Sequence, residues 1–322
     1  TPKTQQSAAQ AVGFLAQANA ENQLALVQRG AAEHLANMLG SDLLETQDYA
    51  QRALLHLSLH DDNRTAVVKR LVGVLAGRST SAQLKAAEGL ALLLEKNPSC
   101  RATLVTSGAI TPLVQLLGTG TRADLNTPPE RAAAVLAELA KLAESKAEIA
   151  AAGGLDPLVA MLSSQCRQAQ THAACALLHL SLVASYKAEM VQKGCIPKFV
   201  KLLAVGSPSA QRFASMTLWQ LSSSTEARNL IVQVGGIAAL IKLLHATVGP
   251  LIAHAKAQAH AQRSLMGLDA DQIYQEKMRQ QANQQVDGVG DVVRLASNVE
   301  KAKEKFAEKH GQQPNDDIIV EG

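Results

Sequence analysis

The 322 residues carry a formal net charge of +3 and are 47% apolar but only 2% aromatic. So small a charge, with no run of basic residues outside the mixed EKAKEKFAEKH stretch, lacks the electrostatic footprint of a nucleic-acid binder. The core must be built from Ala, Leu, Val and Ile packed at short interhelical distance, and no segment approaches the roughly 18 uninterrupted apolar residues of a membrane span.

In chain order, residues 5 to 18 match the end of a long Ala-rich helix, so the chain begins inside a structural unit. Thr1 in place of Met fits a fragment or a worn N-terminal cap. One motif then recurs: GAAEHLANMLG from Gly30, GAITPLVQLLG from Gly108, GGLDPLVAMLS from Gly153, GCIPKFVKLLA from Gly194 and GGIAALIKLLH from Gly235. TAVVKRLVGVLAG from Thr65 is a degenerate copy, and with Ala66 in the glycine's place the spacings are 36, 42, 45, 41 and 41 residues. That is the period of stacked helical repeats, whose units cannot bury their apolar faces alone and leave one continuous face open.

Residues 185 to 223 show the grammar of a unit. SYKAEMVQK is a short helix stopped at Gly194, where a left-handed conformation caps its end. Pro197 sits just inside the second helix, and Ser207 or Ser209 caps a long third helix with Phe213, Met216, Leu218 and Leu221 on its apolar face. The same grammar predicts long third helices at about 46 to 59, 80 to 95, 129 to 142, 166 to 183 and 208 to 222. After Val68 about five residues are missing, which predicts that short and second helices fuse, and GTGTRADLNTPPE from Gly118 is about four residues longer than its equivalents, an insertion of the kind that maps to loops.

From Pro250 the copies fade. LIAHAKAQAHAQRSL reads as the last third helix, MGLDADQIYQEKMRQQANQQ as a polar helix broken at 287–290, and the segment with Val292, Leu295, Val299, Ala302 and Phe306 as an amphipathic helix. The last covers the end of its own array or is donated to a partner. QQPNDDIIVEG beyond it reads as disordered. The expected organisation is therefore a partial or capping repeat at 1–20, an array of about six repeats at 21–266, a helical tail at 267–311 and a disordered terminus at 312–322.

Short helix, Gly, Ile/Leu-x-Pro-Leu-Val-x-Leu-Leu, polar loop and long Ala-rich helix, anchored by Gly108 with Pro112, Gly153 with Pro157 and Gly194 with Pro197, resemble the armadillo repeat family over residues 21 to about 266. The resemblance implies an all-α, right-handed superhelix of three-helix repeats, with third helices lining a concave groove for a protein or peptide. In nuclear-import carriers and catenins of that family a groove asparagine near the end of each third helix holds the ligand backbone. The equivalent positions here are Leu15, His56, Leu93, Glu138, His179 and Gln220. The tryptophan four residues earlier is replaced by Arg52, Gly89, Ala134, Cys175 and Met216, so the slots for basic side chains are missing.

What remains as a candidate partner-binding row is Arg52, His56, Lys85, Glu138, His172, His179, Arg212 and Gln220, with Trp219 as an aromatic anchor or a core residue. Val292, Leu295, Val299 and Phe306 offer a second contact. His172, Cys175 and His179 share one helical face and could present two imidazoles and a thiolate to zinc, but His56 in ALLHLSL copies His179 in ALLHLSL without a cysteine, so repeat register explains both. No metal or cofactor is expected. Cys100, Cys166, Cys175 and Cys195 show no paired spacing and read as reduced thiols of a cytoplasmic protein, with nuclear or cytoskeletal association as alternatives. No GxSxG, HExxH, GxGxxG or Walker run occurs, which points away from an enzyme. The expected function is a non-catalytic scaffold or adaptor in a larger assembly; the alternatives are the substrate-recognition region of a ubiquitin ligase and a transport receptor for protein cargo.

Overall fold

The computed structural model describes residues 2–17, 19–119 and 127–244, and these hold helices and turns with no strand among them. Two compact units divide the chain, Thr1–Leu180 and Ser181–Gly322. The first contains α1 (Pro2–Ala16), α2 (Ala20–Gln28), α3 (Ala31–Met38), α4 (Leu44–Leu57), α5 (Asp61–Leu75), α6 (Thr80–Lys96), α7 (Cys100–Thr106), α8 (Ile110–Leu117), α9 (Pro128–Leu139), α10 (Ala143–Ala151), α11 (Leu155–Met161) and α12 (Arg167–Leu180). The second contains α13 (Ala184–Gln192), α14 (Cys195–Val205), α15 (Pro208–Leu221), α16 (Thr225–Gln233) and α17 (Gly236–Leu244).

The third helices predicted from the repeats are α4, α6, α9, α12 and α15, each displaced by no more than three residues at either end. In the first unit α1, α4, α6, α9 and α12 pack in succession, so α1 behaves as the third helix its sequence resembles. The fused helix also forms: α5 runs unbroken through Val68, because the deletion removes the glycine corner that would turn the chain. Each corner that does form has its glycine at positive φ, at Gly30, Gly108, Gly153, Gly194 and Gly235. There α16 and α17 meet at 77°, and no single described helix is long and apolar enough to cross a membrane.

Entry into the third helices is fixed by side chains. Ser79 and Ser207 cap α6 and α15, accepting from the amides of Ala82 and Ala210 at 3.3 and 3.2 Å. The fourth residue of α4, α6, α12 and α15 is a glutamine whose amide reaches back to the preceding loop or, at Gln211, to the last turn of α14: Gln47 to Ser41 O at 2.5 Å, Gln83 to Gly77 O at 2.7 Å, Gln170 to Ser164 O at 2.6 Å and Gln211 to Leu203 O at 2.9 Å. Carbonyls left open at the end of each second helix are thereby satisfied. The sequence reading did not single out these glutamines, although their recurrence marks them.

The core matches the composition. Ala50, Ala53, Leu54 and Leu57 on α4, and Ala173, Ala174, Leu177 and Leu180 on α12, are buried, and Phe199 leads the large side chains that are fully enclosed. On α15 the buried face is Ala214, Thr217, Leu218 and Leu221, while Phe213 and Met216, expected on it, are half-buried. Small residues take those positions because neighbouring helices approach closely.

Candidate functional site

Within the first unit the polar row lies on α4, α6, α9 and α12, and two of its members, Lys85 and Glu138, are ion-paired to neighbouring helices. Lys85 on α6 donates to Asp48 on α4 at 2.6 Å and lies 3.6 Å from Glu88. Glu88 in turn lies 3.8 Å from Arg131 on α9. Farther along α9, Glu138 accepts from Arg101 of α7 at 2.7 Å and from Lys141 at 2.5 Å. Burial acts to raise the Glu138 carboxyl, but the hydrogen bonds from Lys141 and Arg101 outweigh it and hold the group below the usual carboxylate range. Lys85 therefore struts one repeat against the next, and Glu138 ties the first helix of its repeat to the third. Asp48, Glu88, Arg131 and Arg101 were missed, although Asp48 and Lys85 are 37 residues apart, near the repeat period.

The histidines behave differently. His56, His172 and His179 are half-buried on the same helices. Burial is the first cause lowering each of them below the ordinary value of 6.5, aided at His56 by Lys96 and Arg52 and at His179 by Lys141 and Lys146. At His172 the neighbouring Glu130 opposes the shift without reversing it. All three imidazoles are thus neutral near pH 7, each offering a donor and an acceptor and no charge.

At the start of the row a pocket of about 220 Å³ opens between α1 and α4, lined by Gln10, Phe14, Gln17, Tyr49, Arg52 and His56 among others. The Arg52 guanidinium stands 4.9 Å from the centroid of the Tyr49 ring. Leu15, at the position of the family's asparagine, is 53% exposed, whereas the equivalent Leu93 is buried. A second, wider cleft lies between α3 and α5, where Lys69, Arg70 and Arg78 line one side and Arg70 pairs with Glu33 at 2.8 Å.

In the second unit α15 carries Arg212, Trp219 and Gln220. Arg212 is exposed with its guanidinium 5.3 Å from the Phe213 ring centroid, and Trp219 and Gln220 are both half-buried. Trp219 is neither a full core residue nor a free anchor.

The cysteines offer little chemistry. Cys100, Cys166 and Cys195 are buried and Cys175 is half-buried, and none of the four is in a disulfide. Burial raises the Cys100 thiol and pushes Cys195 up to about 12, so neither is a thiolate at neutral pH. Among the described residues no group of three or more His, Cys, Asp or Glu is placed to hold a metal ion, so the fold does not gather His172, Cys175 and His179 into one. Val292, Leu295, Val299 and Phe306 lie outside the described residues.

The family model of the armadillo/beta-catenin-like repeat matches residues 143–182, the span of α10 to α12. The rice (Oryza sativa subsp. japonica) E3 ubiquitin-protein ligase SPL11 is 43% identical over 58 residues, which are 18% of this chain and 8% of the ligase. An engineered protein solved by the Northeast Structural Genomics Consortium superposes with a TM-score of 0.59 at 30% identity, covering 77% of this chain and 61% of the other. A designed armadillo repeat protein in complex with the peptide (KR)4 superposes at 0.52 with 22% identity, over 67% of this chain and 92% of its own. This chain thus spans less than two thirds of the ligase and of the engineered protein.

Proposed function

The chain belongs to the armadillo repeat family, and from that premise we propose that it is a non-catalytic scaffold or adaptor whose third-helix row binds an extended partner chain. The observation that carries this reading is the state of the row. Lys85 and Glu138 are held in ion pairs with neighbouring helices, and its imidazoles are held neutral. A surface of that kind recognises a ligand by directional hydrogen bonds from successive helices. The designed relative that holds (KR)4 supports peptide binding as the mode, but Lys85 and Arg52 on this row disfavour so basic a ligand.

In this reading the repeats run over 21–266, Arg212, Trp219 and Gln220 extend the contact, and the segment with Val292, Leu295, Val299 and Phe306 supplies a second one. The free, buried thiols suit the cytoplasm. A second reading, the substrate-recognition region of a ubiquitin ligase, is favoured by the 43% match to SPL11; there the catalytic step would belong to another domain.

The test starts from affinity purification of the chain and mass spectrometry of its partner. With that partner in hand, His179→Ala and Glu138→Gln should each weaken binding several-fold, about 0.5 to 1.5 kcal/mol per lost hydrogen bond. Replacing Glu144 and Glu148 by Ala on α10, away from the row, should leave binding unchanged. Equal losses from both sets would reject the row as the binding face. The ligase reading requires in addition that the partner be ubiquitinated in a manner dependent on this chain.

A further inference from the structure

Among the described residues Arg52 is in no ion pair with a carboxylate. The nearest candidates on its own helix are Asp48, one turn earlier, and Glu45, and both are engaged elsewhere. Asp48 is taken by Lys85 at 2.6 Å, and Glu45 accepts from Gln6 of α1 at 2.7 Å. What Arg52 keeps is the carbonyl of Asp48, 3.3 Å from its Nε, and the face of Tyr49. The ring pre-orders the guanidinium, so little side-chain entropy is lost when an anion binds it.

This cation lines the pocket between α1 and α4, and among the described residues no acidic one lines it. Gln10 and Gln17 add amide donors to the lining, and His56 is part of it. At about 220 Å³ the pocket is smaller than the roughly 300 to 1,000 Å³ of small-molecule sites and suits one inserted side chain. Phe14 of the lining is 65% exposed and Leu15, the next residue, 53%, a large apolar pair on a helix that packs on α4. The charged groups acting on His56 are Lys96 and Arg52, both positive, so the field at the pocket is one an anion would enter.

We propose that this pocket is the anchor for a carboxylate side chain of the partner peptide, with Arg52 as its counter-ion and Phe14 and Leu15 receiving the apolar residue next to it. The inference rests on the third-helix row being the peptide face and adds the class of side chain read at its first position. A phosphate or free carboxylic acid would lack the apolar neighbour that the exposed pair requires.

The experiment is calorimetric titration of the full chain with the synthetic peptides (EL)4, (QL)4 and (KR)4. (EL)4 should bind about tenfold more tightly than (QL)4, the scale of one charge-assisted hydrogen bond, and (KR)4 should not compete for the site. Arg52→Gln should weaken (EL)4 about tenfold, leave (QL)4 unchanged and leave thermal stability unchanged, since the side chain is exposed. Equal binding of (EL)4 and (QL)4 to the wild-type chain, absence of binding by (EL)4, or equal weakening of both peptides by Arg52→Gln would overturn the proposal. Glu138→Gln and His179→Ala, run in parallel, separate the two readings. If they weaken a peptide that Arg52→Gln does not affect, the row stands and the pocket falls; if no third-helix substitution matters, both fall.

Discussion

Adjacent glycines at two corners do different jobs. Gly153 sits at φ +78, and an added Cβ would meet nothing, so its cost on substitution is backbone strain alone. Gly154 has ordinary φ, but a Cβ there would lie 2.8 Å from both Cγ2 and the carbonyl oxygen of Ile149. Gly236 meets Ile231 in the same way, at 2.6 and 2.7 Å. Where the equivalent first-helix residue is Leu104 or Met190, the second position is Ala109 or Cys195, and the amide of Ala109 sits 3.2 Å from Leu104 O against 2.9 Å for Gly154 and Ile149. The β-branched residue thus forbids the side chain. Asn, which tolerates the left-handed region, should therefore cost under about 1 kcal/mol at Gly194 but about 1 to 3 kcal/mol at Gly154 through overpacking. Thermal melts in which the two costs are equal would refute the division of labour. His172 gives a second residue-scale prediction. Its folded pKa is lowered from 6.5, so the unfolded chain takes up a proton first, and the stability due to this group, complete above about pH 6.5, is lost as pH falls below it. His56 and His179 act in the same sense. Melting temperature should fall between about pH 7 and pH 5, and His172→Gln should make that fall shallower; an unaltered slope would exclude His172 as a cause.

Helix boundaries are the most legible level of this chain, because glycine corners, Pro just inside the second helix and Ser at the third are local signals whose chemistry does not depend on the fold. The fused α5 follows from a deletion visible in the repeat spacing. The pairings on the row are not legible in the same way. Asp48 meets Lys85 only through the offset at which successive repeats stack, and Glu138 meets Arg101 only through the packing of first on third helix within a repeat, both set by Ala and Leu volumes on the buried faces. For the same reason Lys85 and Glu138 read as open groove residues from the sequence, yet the structure gives them partners. One element carries an avoidable weakness. Gly73 lies inside α5, exposed, and a Cβ there would meet nothing within 4 Å. Gly73→Ala should raise stability by about 0.5 to 1 kcal/mol by removing unfolded-state freedom without strain. A lower melting temperature would show that the cleft between α3 and α5 depends on the missing side chain.

A chain that is 2% aromatic must distribute its stability over many small contacts, and the packing order decides where they accumulate. In the first unit each third helix touches the one before and the one after, so no residue in α1 is held by α9. Stability in such an array is a sum of local terms and nearest-neighbour interfaces, and it grades from well-flanked helices to poorly flanked ones. Burial marks the gradient. Pro128, Pro129, Glu130, Ala132, Ala133, Val135, Leu136, Ala137 and Leu139 are all buried on α9, whereas on α2 Gln23 alone is, held by its amide to Ala16 O at 2.7 Å. The second unit repeats the contrast between α14, with Phe199 and Leu203 enclosed, and α16, where only Ala227 and Ile231 are. Amide exchange followed by mass spectrometry should therefore be slowest in α9 and fastest in α2 within the first unit, and slower in α14 than in α16 within the second. A partner bound along the row would touch the slow helices, so its binding should leave α9 little changed and slow the exchange of α1, where Phe14 and Leu15 stand exposed. Uniform exchange across α2 and α9 would mean that the first unit opens all at once, and the nearest-neighbour account of this fold would fail.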